Sequence, residues 1–531
     1  MKREDLFRSA GFTVALMIVT TLFSKLLGML RQMMTAGIFA ASIEGIAFSA
    51  ASGIPLAIFD MLFSAAVLGS FLPIYKGYLV SDAERARSFS SSFFTFVLLI
   101  TAGAALLGIA LARPIIVLAA PELDPATASL AVMLLRIMFP SMIFAGAAYI
   151  LVGILQSRES FLLPASVSAV SNLVMLLYLW LCPAPIGKNS VVGLALAYLI
   201  SWLAQFLMLA VPLLRRRVFP KLTVRCLTSD SVLAVKRALP VMCGSWLIPM
   251  TTLIAKALSS LVDPASVETG AHAGTAIVVY ENAFSVFSIA AGLLTYGICN
   301  YLFPKLSGRY AKGDGEGFLR LAEEGCFASL AVVMPIAGAV GLLSEEIVAL
   351  LYLRGAFTPG LAAAAAESLR ILSLAVPAYC VIEFFSRVFY SCGKVRYPMR
   401  ASLCGISVML LAGVGFFLTE RLSVRTVSLS AVCGQWTAGA LLLVFYTHTL
   451  GKRKCVYGVG KYASVVFSSL LSFAAMRLCR DFLRDFFHFS PNFQNFLIMG
   501  LVFTVGFVVH LLWLIATKTV RISDPRKSRG S

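Results

Sequence analysis

Charged residues make up only 13% of this 531-residue sequence, about half the share usual in soluble domains. A chain so poor in charge, 59% hydrophobic and with a mean hydropathy of +0.90, cannot cover a water-facing surface, so a soluble fold is excluded. Only four histidines occur, His272, His448, His488 and His510, and they are scattered. There is no phosphate-cradling G-x-x-x-x-G-K-[ST] loop, no H-E-x-x-H, no G-x-S-x-G and no Asp-rich diphosphate-metal motif. Each absence removes an enzyme class, and no catalytic residue, metal or cofactor is expected. Without an ATP site, any work the chain does must draw on an ion gradient, the membrane potential or a solute gradient. Eleven cysteines are present but lack C-x-x-C or Cys/His ligand spacing. Cys243, Cys299, Cys380 and Cys404 lie singly in apolar segments and read as small buried hydrophobes.

What the sequence has instead is long apolar runs. They recur from Phe12 almost to Lys518, and a run of about 18 residues or more is enough to cross a hydrocarbon core of about 30 Å. Charged and turn-rich punctuation predicts fourteen spans: 11–36, 45–75, 90–112, 128–156, 162–182, 190–214, 234–262, 274–303, 325–343, 363–391, 398–418, 426–450, 461–479 and 494–517. The charges Lys2, Arg3, Glu4, Asp5 and Arg8 ahead of the first run resemble a signal peptide. That run continues through Lys25 to Arg31, however, so it is read as the first membrane helix. The expectation is an all-α polytopic membrane protein.

A net charge of +19 invites a nucleic-acid reading, but the positive charge sits in short blocks between apolar spans, which is the pattern of membrane topology. With the N-terminus inside and residues near span ends counted with the adjoining loop, 30 of the 44 basic residues fall on the inside, nine, Arg31 among them, on the outside, and five (Lys25, Arg136, Lys256, Arg370 and Arg387) deeper within spans. Both termini are therefore expected in the cytoplasm. The membrane, not nucleic acid, is the expected partner.

The sequence also repeats itself. Leu135-Arg136-Ile137 recurs as Leu369-Arg370-Ile371, Pro164 as Pro398, and Val174-Met175-Leu176-Leu177 as Val408-Met409-Leu410-Leu411, all 234 residues apart. The exit of the second span, Phe71-Leu72-Pro73, matches Leu302-Phe303-Pro304 at an offset of 231. The offset covers six helices, an even number, so the two halves share one orientation and a pseudo-two-fold along the membrane normal is expected. This gives an N-terminal lobe at 1–220, a C-terminal lobe at 221–455, and two further helices with a basic tail at 456–531. A cavity is expected between the lobes.

A charge near the bilayer centre costs at least about 2.5 kcal/mol, so ionisable residues within spans need a partner or a water-filled cavity. Lys25, Arg31 and Lys256 have no close sequence partner and are the candidate cavity cations. Asp60 and Glu281 are candidates to balance them or couple to a cation. Arg136 precedes Phe139-Pro140, where freed carbonyls offer it a structural bond as readily as a cavity offers it a ligand. Glu383 and Arg387 are spaced to pair on one helix face, and Glu367 and Arg370 lie near a helix end. An excess of cations suits an anionic group such as a diphosphate.

Specific strings resemble the MurJ (MviN) family of lipid II flippases in the multidrug/oligosaccharidyl-lipid/polysaccharide exporter superfamily. They are Ser24-Lys25-Leu26-Leu27-Gly28-Met29-Leu30-Arg31, Phe71-Leu72-Pro73, Leu134-Leu135-Arg136-Ile137-Met138-Phe139-Pro140, Leu302-Phe303-Pro304-Lys305-Leu306-Ser307, Leu351-Tyr352-Leu353-Arg354-Gly355-Ala356-Phe357-Thr358, and Phe389-Tyr390-Ser391 with Lys394 and Pro398. The resemblance implies fourteen helices, alternating access, a central cationic cavity for the diphosphate and head of lipid II, and a groove near the last two helices for its polyprenyl tail. It implies flipping of lipid II, or of a related polyprenyl-diphosphate lipid, across the bacterial inner membrane, with carriage of another polyprenyl-linked saccharide or drug/cation antiport as the alternatives. The chain is read as a monomer.

The family's helix 1 pattern S-R-x-x-G-x-x-R is matched with Lys25 in place of the first arginine and Arg31 as the second. Glu44 stands near its acidic position in the following loop. The helix 2 segment, Ile58-Phe59-Asp60-Met61, and the helix 8 segment, Tyr280-Glu281-Asn282-Ala283, lack the arginines typical of the family. Lys256 is the candidate to compensate.

Overall fold

The computed structural model describes residues 3–64, 71–182, 187–230, 246–450, 459–486 and 491–517, with short pieces at 232–234, 236, 242 and 519. Among these the chain is helical and has no strand. Helix α1 runs Arg3–Phe39, followed by α2 (Ile43–Ser52), α3 (Ile54–Phe59), a π turn at Asp60–Ser64, α4 (Leu72–Ser81), α5 (Ala83–Ala110), α6 (Ala112–Ala119), α7 (Pro125–Met138), α8 (Ser141–Ser157), α9 (Leu162–Trp180) and α10 (Lys188–Arg215). Then come α11 (Leu247–Ser260), α12 (Thr275–Ala311), α13 (Gly315–Leu342), α14 (Ser344–Tyr352), α15 (Pro359–Ser373), α16 (Val376–Ser391), α17 (Arg396–Leu418), α18 (Val424–Thr449), α19 (Val459–Phe486) and α20 (Pro491–Ala516).

Eleven of the described helical stretches are long and apolar enough to cross a membrane, twelve with the bent pair α15/α16 taken as one. Helix α1 contains the first expected span, and α11 lies in the seventh. The start of the seventh span and Cys243 fall outside the described residues.

Three expected spans are not single straight helices, and proline explains each break by its missing N–H. Pro55 and Pro377 open α3 and α16, and Phe139-Pro140 separates α7 from α8. At the bend between α15 and α16, 47° in size, the freed Leu374 carbonyl accepts from Trp436 Nε1 at 2.9 Å. Inside an apolar solvent a freed carbonyl needs such a donor. The boundaries recur along the chain: α7 and α15 both begin at proline, Pro125 and Pro359, 234 residues apart, and α9 and α17 begin 234 apart.

The chain forms two compact units. One comprises Met1–Asn282, Arg354–Thr358 and Gly413–Val427, and the other Ala283–Leu353, Pro359–Ala412 and Ser428–Ser531. In the first, α1 packs on α9 through small residues. A Cβ at Gly28 would stand 3.2 Å from Asn172 Nδ2, and that amide donates to the Ser24 carbonyl at 3.1 Å. Buried Ile54, Phe59, Leu134, Met138 and Phe139 form the core beneath α2, α3 and α7. Phe71, Tyr75, Phe89 and Phe93 form a second cluster, with Phe71 and Tyr75 stacked at 5.3 Å.

The five-residue segment Arg354–Thr358 docks on the end of α1. Ala356 N–H donates to the Gly37 carbonyl at 2.8 Å, and Thr358 Oγ1 donates to Glu268 Oε2 at 2.8 Å. Helix ends leave carbonyls without intrahelical donors, and the segment satisfies one of them.

In the second unit, α19 and α20 pack on α13 and α14 through Leu342, Leu343, Met476, Leu483, Ile498 and Val502. Ionic contacts reinforce this. Buried Glu346 accepts from Arg480 at 2.6 Å and lies 2.8 Å from Arg484, while Glu345 lies 2.7 Å from Arg370 and 3.1 Å from Arg480. All nine described cysteines are free, and Cys299 and Cys380 are buried as expected, but Cys404 is exposed.

Candidate functional site

The break between α2 and α3 builds a charged point in the interior of the first unit. Because Pro55 cannot donate to the Ala51 carbonyl, Gly53 N–H turns back to that oxygen. The Ser49 carbonyl is left without its helical donor and accepts instead from Lys256 Nζ. Gly53 keeps this approach open, since a Cβ there would lie 3.1 Å from the ammonium.

Lys256, on α11, is therefore not the unpaired cation its sequence position led us to expect. It is 2% exposed and faces Glu281 Oε1 on α12 at 3.8 Å. Sequence distance hid both partners, one 207 residues away on α2 and the other on the next helix.

Helix α1 supplies the other cations. Gln32 Nε2 donates to Asn282 Oδ1 at 3.2 Å, which sets α1 beside α12. One residue before this contact, Arg31 is half-buried, within electrostatic reach of Tyr198 on α10 and of Glu281. Its guanidinium makes no hydrogen bond or ion pair to a described residue. Lys25 is half-buried and likewise unbonded; seven residues before Gln32, it shares that residue's helical face.

Asp60 opens the π turn after α3, half-buried and in electrostatic reach of Tyr198. Trp246 Nε1 holds this turn by donating to the Met61 carbonyl at 2.9 Å. Arg31, Lys256, Glu281 and Asp60 thus gather around α10–α12 and the broken second span. Tyr198 was missed by sequence reading because a lone tyrosine in an apolar helix carries no motif.

The remaining candidates go elsewhere. Glu44 lies in the first turn of α2, whose N-cap Ser42 Oγ accepts from Gly45 N–H at 3.2 Å, so its charge complements the helix dipole. Arg136 is exposed in the last turn of α7 and makes no bond to a described residue, so the freed carbonyls beside Pro140 do not hold it. Glu383 and Arg387 pair at 2.5 Å on α16, in the second unit. Arg370 pairs with Glu345, not with Glu367.

A family model described as lipid II flippase MurJ matches residues 35–516. A probable lipid II flippase MurJ of Bdellovibrio bacteriovorus is 29% identical over 399 residues, covering 74% of each chain. The lipid II flippase MurJ of Burkholderia cenocepacia is 25% identical over 401 residues, covering 75% of this chain and 76% of that one. Among solved structures, a lipid II flippase MurJ in an inward closed conformation superposes with a TM-score of 0.73 at 18% identity, covering 95% of this chain and 99% of that one. An inward-facing multidrug resistance transporter of the MATE family, in the MOP superfamily, gives 0.68 at 12% identity, covering 82% and 98%. These structures share the fold, and the family match, which begins after Lys25 and Arg31, includes Asp60, Lys256 and Glu281. The chain belongs to the lipid II flippase MurJ family.

Proposed function

We propose that this protein carries lipid II from the inner to the outer leaflet of the bacterial cytoplasmic membrane by alternating access, with both termini in the cytoplasm and acting as a monomer. The family match over residues 35–516 supports the substrate class. The observation that carries the site is Arg31, a half-buried guanidinium on a membrane helix with no described bonding partner. Such a group is costly unless a ligand or water meets it, and a guanidinium matches two diphosphate oxygens at once. At an effective dielectric of about 20, one unit charge pair about 4 Å apart is worth about 4 kcal/mol. That is enough to favour a diphosphate over an uncharged lipid head.

Lys25 adds a second free cation on the same helix, and Lys256 a third already tied to protein. Reorientation draws on an ion gradient or the membrane potential. Asp60, Glu281 and the Glu383–Arg387 pair are the candidate groups to couple to it.

A second reading, carriage of another polyprenyl-linked saccharide, is favoured by one observation. The second and eighth spans, at Ile58-Phe59-Asp60-Met61 and Tyr280-Glu281-Asn282-Ala283, lack the arginines that the family likeness leads one to expect. Depleting a cell's own lipid II flippase and expressing this chain separates the two. Restored lipid II at the outer leaflet supports the first reading. A correctly inserted chain that restores none refutes it.

A further inference from the structure

Glu281 puts a carboxylate where a site for anions gains nothing from one. Its Oε1 stands 3.8 Å from Lys256 Nζ, beyond a strong hydrogen bond, whereas the same ammonium bonds the Ser49 carbonyl directly. Backbone therefore anchors Lys256, and Glu281 is not needed to hold it. Glu281 is also the open member of the pair, 28% exposed against 2%. The Gln32–Asn282 hydrogen bond sets α1 beside α12, and Glu281 lies within electrostatic reach of Arg31. Tyr198 and Asp60 complete the polar surroundings. One partly exposed carboxylate thus lies near two cations, one fixed by backbone and one unbonded to any described residue.

We propose that Glu281 is a built-in counter-anion of this site, a specificity-determining residue that offsets the charge of Lys256 and Arg31 while no headgroup is bound and competes with the arriving diphosphate for them. The inference rests on the anionic-headgroup reading above. Because carboxylate and headgroup compete for the same cations, Glu281 weakens capture and speeds release. It also keeps monoanionic phospholipids, which bind these cations more weakly than a diphosphate, from filling the site in a membrane where they are abundant. This is specificity by a repulsive element.

The test uses the full-length purified protein and farnesyl diphosphate as the probe. Glu281→Gln, which keeps the side chain's shape, binds the probe about tenfold more tightly than wild type, as expected for removing one competing charge. In vesicles, its turnover at saturating lipid falls while the concentration giving half-maximal rate also falls. Adding phosphatidylglycerol to the vesicles inhibits the variant but not the wild type.

Glu281→Asp, with a shorter side chain, shifts affinity the same way by less, and serves if the glutamine variant is not monodisperse. Wild-type binding with unchanged or weakened binding in folded variants overturns the assignment of Glu281 alone. Failure of both wild type and variants to bind the probe overturns the headgroup reading and this inference with it.

Discussion

Replacing Gly355 by alanine tests whether the segment Arg354–Thr358 is held on α1 by backbone contact. Gly355 has φ +57°, and a Cβ there would stand 2.1 Å from the Gly37 carbonyl oxygen. The left-handed conformation costs a residue with a Cβ about 1 kcal/mol. The clash is with backbone, so no side-chain rotation relieves it, and the segment must withdraw. Withdrawal breaks the 2.8 Å bond from Ala356 N–H to Gly37 O, which costs about 1–3 kcal/mol where the groups stay out of water.

Gly393→Ala is the internal control. Its φ is +69°, but its Cβ would meet nothing within 4 Å, so it carries only the conformational cost of about 1 kcal/mol. Hydrogen exchange at the Ala356 amide should therefore accelerate by about fivefold to a hundredfold in Gly355→Ala. It should be unchanged in Gly393→Ala. Equal protection of Ala356 in both variants and the wild type would refute the docking argument.

Two further outcomes concern the second unit. Replacing Arg480 and Arg484 together by methionine leaves Glu346, 1% exposed, as an uncompensated buried carboxylate. This should destabilise the packing of α19 on α14 by about 3–5 kcal/mol, read as a lower unfolding temperature in detergent; an unchanged temperature would contradict it. Burial pushes the Glu345 carboxyl upward, but hydrogen bonds from Arg370 and Arg484 outweigh this and hold it below its ordinary 4.5. A lowered carboxylate pKa stabilises fully above 4.5 and is lost as pH falls through the lower, folded value. Unfolding temperature should drop as pH is taken below 4.5, and Glu345→Gln should flatten that drop. A parallel loss in wild type and variant would remove the assignment.

The spans were legible because bilayer thickness forces long apolar runs, and the repeat was legible because its matches share one offset. Breaks inside spans were harder to read. Pro140 was recognised as a kink, whereas Pro55 and Pro377 were absorbed into apolar runs that hydropathy reads as continuous. The site was legible one residue at a time, as scarce charges in an apolar background. Their pairing was not, because Lys256 meets a backbone carbonyl on α2 and a carboxylate on α12, and backbone acceptors have no sequence signature. The same limit hid Tyr198 and the partner of Arg370, Glu345, which lies on another helix.

The most direct test is lipid II exposure at the outer leaflet of cells depleted of their own flippase and carrying either the wild-type chain or Arg31→Ala at matched membrane levels. Wild type should restore exposure, and Arg31→Ala should not, since it removes the unbonded guanidinium without breaking any described contact. Restoration by Arg31→Ala equal to wild type would contradict the account of the site. Failure of the wild-type chain itself would contradict lipid II as its cargo.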